Sequence, residues 1–470
     1  MAAPRERIQR IEKRPTAQER SRLPEELSDA LGEMYHSDPQ TRREATSRIA
    51  DKIIEPNYYA DSKTRLSRHM DVLAPHLIRV MHSDPEAQRV ISWVLTGFTD
   101  VMQPHARQLT VQLGRMLKGP DPANRSAALS AIKYLARLKG NRTSMGALVP
   151  MIAREINGEN PKEAGEALFA IAKRRPELIR AHGKKLLPEL QKGIHKISFH
   201  AWQGCVESLK IMGPHTLPDL VASLSNRITN NHLSDTWGEA VKQTAQWLRE
   251  GHHPELRPAV VELFKEISED RDSQHKTAGT MEALSQLQGT DAIPFLSRIL
   301  EKEWSNPNRN TERHTAAATY RRHLYEALSR FESSAIEVLV RGAQKERASD
   351  LKRFLAQEIA TQYKKRDATL ETHFDAAIRT LGPWLTDERS VQKSAQEALE
   401  TIRRGWAHEF GQRHEPLLFA MGHINPQTHP KTFMTVWEDR QDAEYAGWSK
   451  REWELHVKHL KSDETALKAA

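Results

Sequence analysis

The chain has 470 residues, 38% hydrophobic and 28% charged, with a formal net charge of +8 at neutral pH. No run approaches the roughly 18 uninterrupted apolar residues of a membrane helix, so no membrane span is expected. The single cysteine, Cys205, excludes an intramolecular disulfide and fits a reducing compartment, so we expect the cytoplasm.

Residues 1–22 carry charge without an apolar core, which predicts a flexible basic leader rather than a secretory signal. Leu23–Met34 reads as the first helix, and Ser37-Asp38-Pro39 turns the chain into a second over Thr41–Ile54. The same turn returns at Asp84-Pro85, Asp121-Pro122 and Asn160-Pro161. These prolines lie 46, 37 and 39 residues apart, the first interval lengthened by the loop over residues 55–64. In the clearest copy, Gly119–Gly140, Ala127, Ala128, Ile132 and Leu135 share one helix face, and cations and a glycine close the helix.

Later turns lose the proline and keep the beat, with helices expected over Trp202–Ile211, Trp237–Leu248, Thr277–Leu287, His314–Phe331, Leu351–Tyr363 and Val391–Ile402. Cys205 falls in the apolar period of the first of these and reads as buried filler. No segment alternates with period two, so no sheet is expected. About ten helix pairs with a period near 38 residues therefore occupy residues 23–404; neither helix of a pair can bury its stripe alone, so the pairs stack into an all-α solenoid. Residues 405–470 leave the beat and hold four of the ten tryptophans (Trp406, Trp437, Trp448, Trp453), which predicts a capping or partner-docking region. Its last helix, Ser449–Leu460, is expected to fray into a polar tail.

The Asp-Pro turn, followed by a basic residue and small apolar residues, resembles the HEAT-repeat superfamily. That resemblance implies a structural ladder between neighbouring repeats, built here from Asp38 and Arg43, Asp84 and Arg89, and Asp121 and Arg125. For the repeats with an Asp-Pro turn it also implies that the second helix of the pair lines the concave surface.

Charge is uneven along the chain. Residues 101–200 contain 18 Lys and Arg against 7 Asp and Glu, while the remainder holds 52 against 55. Lys133, Arg137 and Lys139 close one second helix, Arg142 follows, and Lys173, Arg174 and Arg175 close the next. Lys184, Lys185, Lys192 and Lys196 continue on the following segment. Stacking would set these clusters side by side as a patch for an acidic partner or nucleic acid. Smaller basic runs at Arg321–Arg322, Lys364–Arg366 and Arg403–Arg404 lie among acids and read as solvated faces.

No catalytic motif is present: there is no HExxH, no phosphate loop, no GxSxG and no GxGxxG. His408-Glu409 and His414-Glu415 are similar to the His-Glu pairs of HEAT-like deoxyhypusine hydroxylases. They lie six residues apart, and no others occur, so no metal site is predicted. The basic block is similar in kind to that of HEAT-like DNA glycosylases, whose catalytic residues find no counterparts here. The expectation is a non-enzymatic scaffold or adaptor without cofactor, metal or small-molecule substrate, binding a protein partner. The alternative is a solenoid that grips the phosphate backbone of nucleic acid.

Overall fold

A computed structural model describes residues 14–54, 63–138, 145–195, 198–225, 234–269, 274–305, 316–365, 367–440 and 448–469. Among them the chain is helical throughout, with short turns and no strand. Two compact units form: Met1–His232 with Glu250–Pro254, and Leu233–Arg249 with Glu255–Ala470.

In the first unit, after the single turn α1 (Ala17–Arg20), helices alternate in two layers. First helices are α2 (Glu25–Glu33), α4 (Lys63–Val80), α6 (Ala106–Lys118), α8 (Val149–Ile156) and α10 (Pro176–Gly193). Second helices are α3 (Pro39–Ile54), α5 (Pro85–Gly97), α7 (Pro122–Leu135), α9 (Pro161–Arg174) and α11 (Phe199–Met212), and α12 (Leu217–Ser225) follows. Each second helix packs on its own first helix, and from α3 to α9 each also packs on the second helix of the next pair. The apolar stripe supplies that contact: Ala128, Leu129, Ala131, Ile132 and Leu135 of α7 are all buried, Ala127 partly.

The second unit repeats the pattern. Its second helices are α13 (Ser234–Arg249), α15 (Gln274–Gln288), α17 (Ala316–Ser329), α19 (Ser349–Tyr363) and α21 (Arg389–Gly405). Between them lie α14 (Arg257–Glu269), α16 (Ile293–Trp304), α18 (Ile336–Lys345) and α20 (Phe374–Leu381). The chain then forms α22 (Ala407–Arg413), α23 (Glu415–His423), α24 (Pro430–Asp439) and α25 (Lys450–Ala469).

Asp-Pro turns start helices for the expected reason: proline sits in the first turn, and the aspartate accepts from backbone N–H groups that have no intrahelical partner. Asp121 accepts from Ala123 at 3.0 Å, Asp84 from Glu86 at 3.0 Å and Asp38 from Thr41 at 2.7 Å. Arg89 and Arg125 find partners other than the ladder aspartates, and Arg125 pairs with Glu155 and Glu159 of the next repeat. Three residues after the proline, Arg42 donates to the carbonyls of His36 and Ser37, and Arg125 to those of Gly119 and Pro120. Gln88, at the same offset, bonds Met81 and Asn124 of the next repeat. Arg43 is exposed, and Arg89 reaches Asp51 of the preceding repeat as well as Glu86.

The closest crossing is α9 on α11. A Cβ on Gly165 would stand 2.1 Å from the His200 carbonyl oxygen, and one on Gly204 would stand 2.6 Å from that of Gly165.

Two expectations about the ends change. Residues 1–13 lie outside the described part, but Thr16 and Glu19 form a reciprocal capping box on α1. The last helix does not fray at Leu460: it continues to Ala469 because buried Glu464 accepts from Lys431 and Thr432 at the start of α24. Trp406, Trp437 and Trp453 are buried. The Trp406 indole donates to the Tyr363 carbonyl at 3.1 Å, and Trp437 occupies the space a side chain at Gly382 would need.

Candidate partner-binding surface

The basic block divides between the two helix layers. On the second helices its lysines meet acids of the next repeat: Lys133 pairs with Glu166 at 2.8 Å, and Lys173 with Glu207 at 3.1 Å. His200 stands 3.6 Å from Glu166, and Lys210 pairs with Glu207 at 3.0 Å. Arg137 lies over the Tyr134 ring at 5.2 Å. Arg175 is buried, its Nε donating to the Ala136 carbonyl of the preceding repeat, so it joins repeats instead of facing solvent. Lys139, Arg142 and Lys196 lie outside the described residues. Arg174, Lys184, Lys185 and Lys192 are exposed, but the three lysines stand on α10, in the first-helix layer. The expected patch is therefore not one cluster.

That first-helix layer also carries cations the sequence reading passed over. Arg107, Arg115 and Lys118 are exposed on α6, Arg154 on α8 and Arg180 on α10. The acids of these three helices are Glu155, Glu177 and Glu189, none fully exposed. Glu155 pairs with Arg125, and Glu189 accepts from Asn157. Helical spacing could have found the layer, since Arg180 and Lys184, or Lys185 and Lys192, fall on one side of α10.

In the second unit a groove of about 440 Å³ crosses three successive second helices, α13, α15 and α17. Gly238, Ala278, Gly279 and Ala327 leave it open, because small residues bring neither bulk nor rotamers to the crossing. Glu282 stands at its centre and accepts from Lys242 at 3.1 Å and Arg330 at 2.8 Å. Glu239, Glu326 and His323 complete the lining. The sequence reading placed no site residue here, since the helix-spanning charge pattern has no local signature.

Other polar groups are built into the packing. Arg321 corrects the reading of Arg321–Arg322 as a solvated run: only Arg322 is exposed, paired with Glu326. Arg321 is 5% exposed and donates to Glu346 at 3.0 Å, and the Tyr325 hydroxyl donates to the same carboxylate oxygen at 2.9 Å. The Trp304 indole in turn donates to Tyr325. Burial pushes the Tyr325 hydroxyl well up, and the Cys205 thiol likewise, so neither ionises near neutrality. His414, held down in pKa by burial, lies 3.1 Å from Asp375, while Glu415 takes Arg440. Among the described residues no three His, Cys, Asp or Glu side chains gather as metal ligands would, and no helix is long and apolar enough to cross a membrane.

No family model matches the chain, and no curated protein matches it by sequence. Solved structures match by fold. The karyopherin Kap121p, bound to the extreme C-terminus of the protein phosphatase Cdc14p, aligns with 13% identity and a TM-score of 0.51, covering 96% of this chain and 52% of that one. Kap121p alone gives 12% identity and a TM-score of 0.50, covering 96% and 51%. Kap95p, from a structure concerning RanGDP, gives 11% and 0.48, covering 94% and 71%. The chain spans about half the length of Kap121p. Its fold is that of the HEAT-repeat α-solenoids.

Proposed function

We propose that this protein is a non-enzymatic scaffold that holds a segment of a partner protein along its second-helix layer, with the groove over α13, α15 and α17 as the seat. The observation that carries this reading is the groove itself. Three successive helices present a continuous channel with small residues beneath and charged residues along it. An extended chain laid across them would meet Glu239, Glu282 and Glu326 on successive repeats, each able to take backbone N–H groups or basic side chains. Kap121p, which shares the fold, is bound to a protein C-terminus, and that supports a peptide-sized occupant.

The test is site-directed photo-crosslinking in cells. A photoreactive residue replaces Glu239 in the groove or exposed Arg347 outside it, each with and without Ala278→Trp to fill the channel. The expected result is a discrete protein adduct from position 239 that Ala278→Trp abolishes and that position 347 does not give. Equal adducts from both positions, insensitive to the filled groove, would overturn the reading.

A further inference from the structure

In the second-helix layer Lys133 and Lys173 pair with acids of the next repeat, whereas several cations of the first-helix layer have no such partner. Among the described residues, Arg107 and Lys118 of α6, Arg154 of α8, and Lys184, Lys185 and Lys192 of α10 are exposed and make no ion pair or side-chain hydrogen bond. The three helices are neighbours. Gly114 of α6 approaches Leu148, just before α8, with room for a Cβ only at 3.1 Å, and α8 packs on α10. Not one fully exposed acid stands on any of them. Three of these cations, Lys118, Arg154 and Lys192, suit the last turns of their helices, but six like charges that make no ion pair also repel one another.

We infer that this first-helix face is a docking surface for double-stranded nucleic acid, gripped through its phosphates. Two-dimensional spacing favours a duplex. Packed helices lie about 8–10 Å apart, and Lys184 to Lys192 spans about 12 Å along α10 at 1.5 Å per residue. Such an array meets phosphates on both sides of a groove about 12 Å wide; a single strand or an acidic peptide would use one row. The face also lacks what other anionic partners require. No Phe, Tyr or Trp occurs in α6, α8 or α10, so unpaired bases find no stacking platform. Val111 is the one large hydrophobic residue exposed on them, too little for insertion between lipid headgroups. Cations spread over three helices suit contacts to the phosphate backbone, which position a duplex without reading its sequence.

The experiment measures binding of the full chain to a mixed-sequence 24-base-pair DNA duplex and to its RNA counterpart by fluorescence anisotropy across a salt series. One variant carries R107E, R154E, K184E, K185E and K192E. A control carries the same charge change in the second unit, at exposed Arg347, Lys364, Lys393, Arg451 and Lys458. A third version of the first variant uses Gln in place of Glu, which removes attraction without adding repulsion, and circular dichroism verifies that each folds. The expected result is micromolar or tighter binding near 150 mM salt for wild type and control. Both first-unit variants should lose at least about 30-fold, with the log–log salt slope shallower by roughly four, since each lost phosphate contact removes about 0.9. Equal losses in variant and control would show a net-charge effect and overturn the proposal. So would wild-type binding to phosphatidylserine vesicles or to a single strand that exceeds binding to either duplex.

Discussion

Arg321, Tyr325 and Glu346 show how far a single residue can depart from its local context. The side chains of Arg321 and Glu346 are 5% and 0% exposed, so their attraction is set against the loss of hydration of both charges. Removing Arg321 takes the counter-charge from buried Glu346, to which the Tyr325 hydroxyl still donates. Arg321→Met is expected to cost about 3–5 kcal/mol, and Arg321→Met with Glu346→Leu to recover most of it, measured by urea unfolding. The Arg321–Arg322 dipeptide reads as a solvated run because the glutamate that holds Arg321 is 25 residues distant, beyond any helical spacing. Glu464 acts through titration. Burial raises its pKa, but N–H and hydroxyl donation from Thr432, with Lys468 and the Lys431 N–H, outweighs that and holds the carboxyl at about 2. Its folded pKa is thus below the ordinary value near 4.3. Its stabilising contribution is complete above that value and disappears as pH falls towards 2. Glu464→Gln should cost about 1–3 kcal/mol at pH 7. The difference from wild type should shrink between pH 4.5 and 2; a gap constant across that range would refute the assignment.

At the scale of the helix, the crossing of α9 on α11 rests on two glycines. Gly165→Ala places a methyl 2.1 Å from the His200 carbonyl oxygen, which backbone atoms cannot yield to without moving the helices apart. A loss of about 3 kcal/mol is expected. Gly97→Ala, at the end of α5 with nothing within 4 Å, should be neutral or stabilising by about 0.5–1 kcal/mol. Thermal melts of the two variants check the pair, and similar shifts for both would show that the crossing tolerates separation. The helices themselves were legible: Pro122 and the 3.6-residue stripe of α7 fall where periodicity puts them, although the helix ends at Leu135, before Arg137, and Lys139 and Gly140 lie outside the described residues. The close glycine contact was not, since a glycine in a helical pattern gives no hint of which neighbour approaches it. The same limit explains the basic block. Its excess charge is visible in composition, but the split between paired Lys133 and unpaired Lys184 depends on which acid the next repeat brings alongside.

For the whole molecule, stacking makes each pair depend on its neighbours, so stability is a sum of nearest-neighbour terms and the end of an array needs cover. In the second unit α21 is followed by residues 407–440 and 448–469, a region whose tryptophans suggested either a cap or a docking site. The structure directs three of them inward. Trp406 bonds Tyr363, Trp453 packs with Trp448 and Arg440, and Trp437 fills the space over Gly382 while α24 packs on the turn Pro383–Thr386. A cap of this kind has a distinct experimental signature. A chain ending at Gly405 should expose Trp384 and Leu385, bind the dye ANS and melt at lower temperature than the full chain, whereas a docking tail could be removed without either effect. Gly382→Ala provides the independent arm. Its Cβ would lie 2.0 Å from the Trp437 ring, so it should displace the ring without deleting any of the chain after residue 405. If both changes raise ANS binding and lower the melting temperature, the C-terminal helices close the hydrophobic end of the stack. If neither does, the stack ends at α21 and the tryptophan-rich helices form a separate packing unit attached to it.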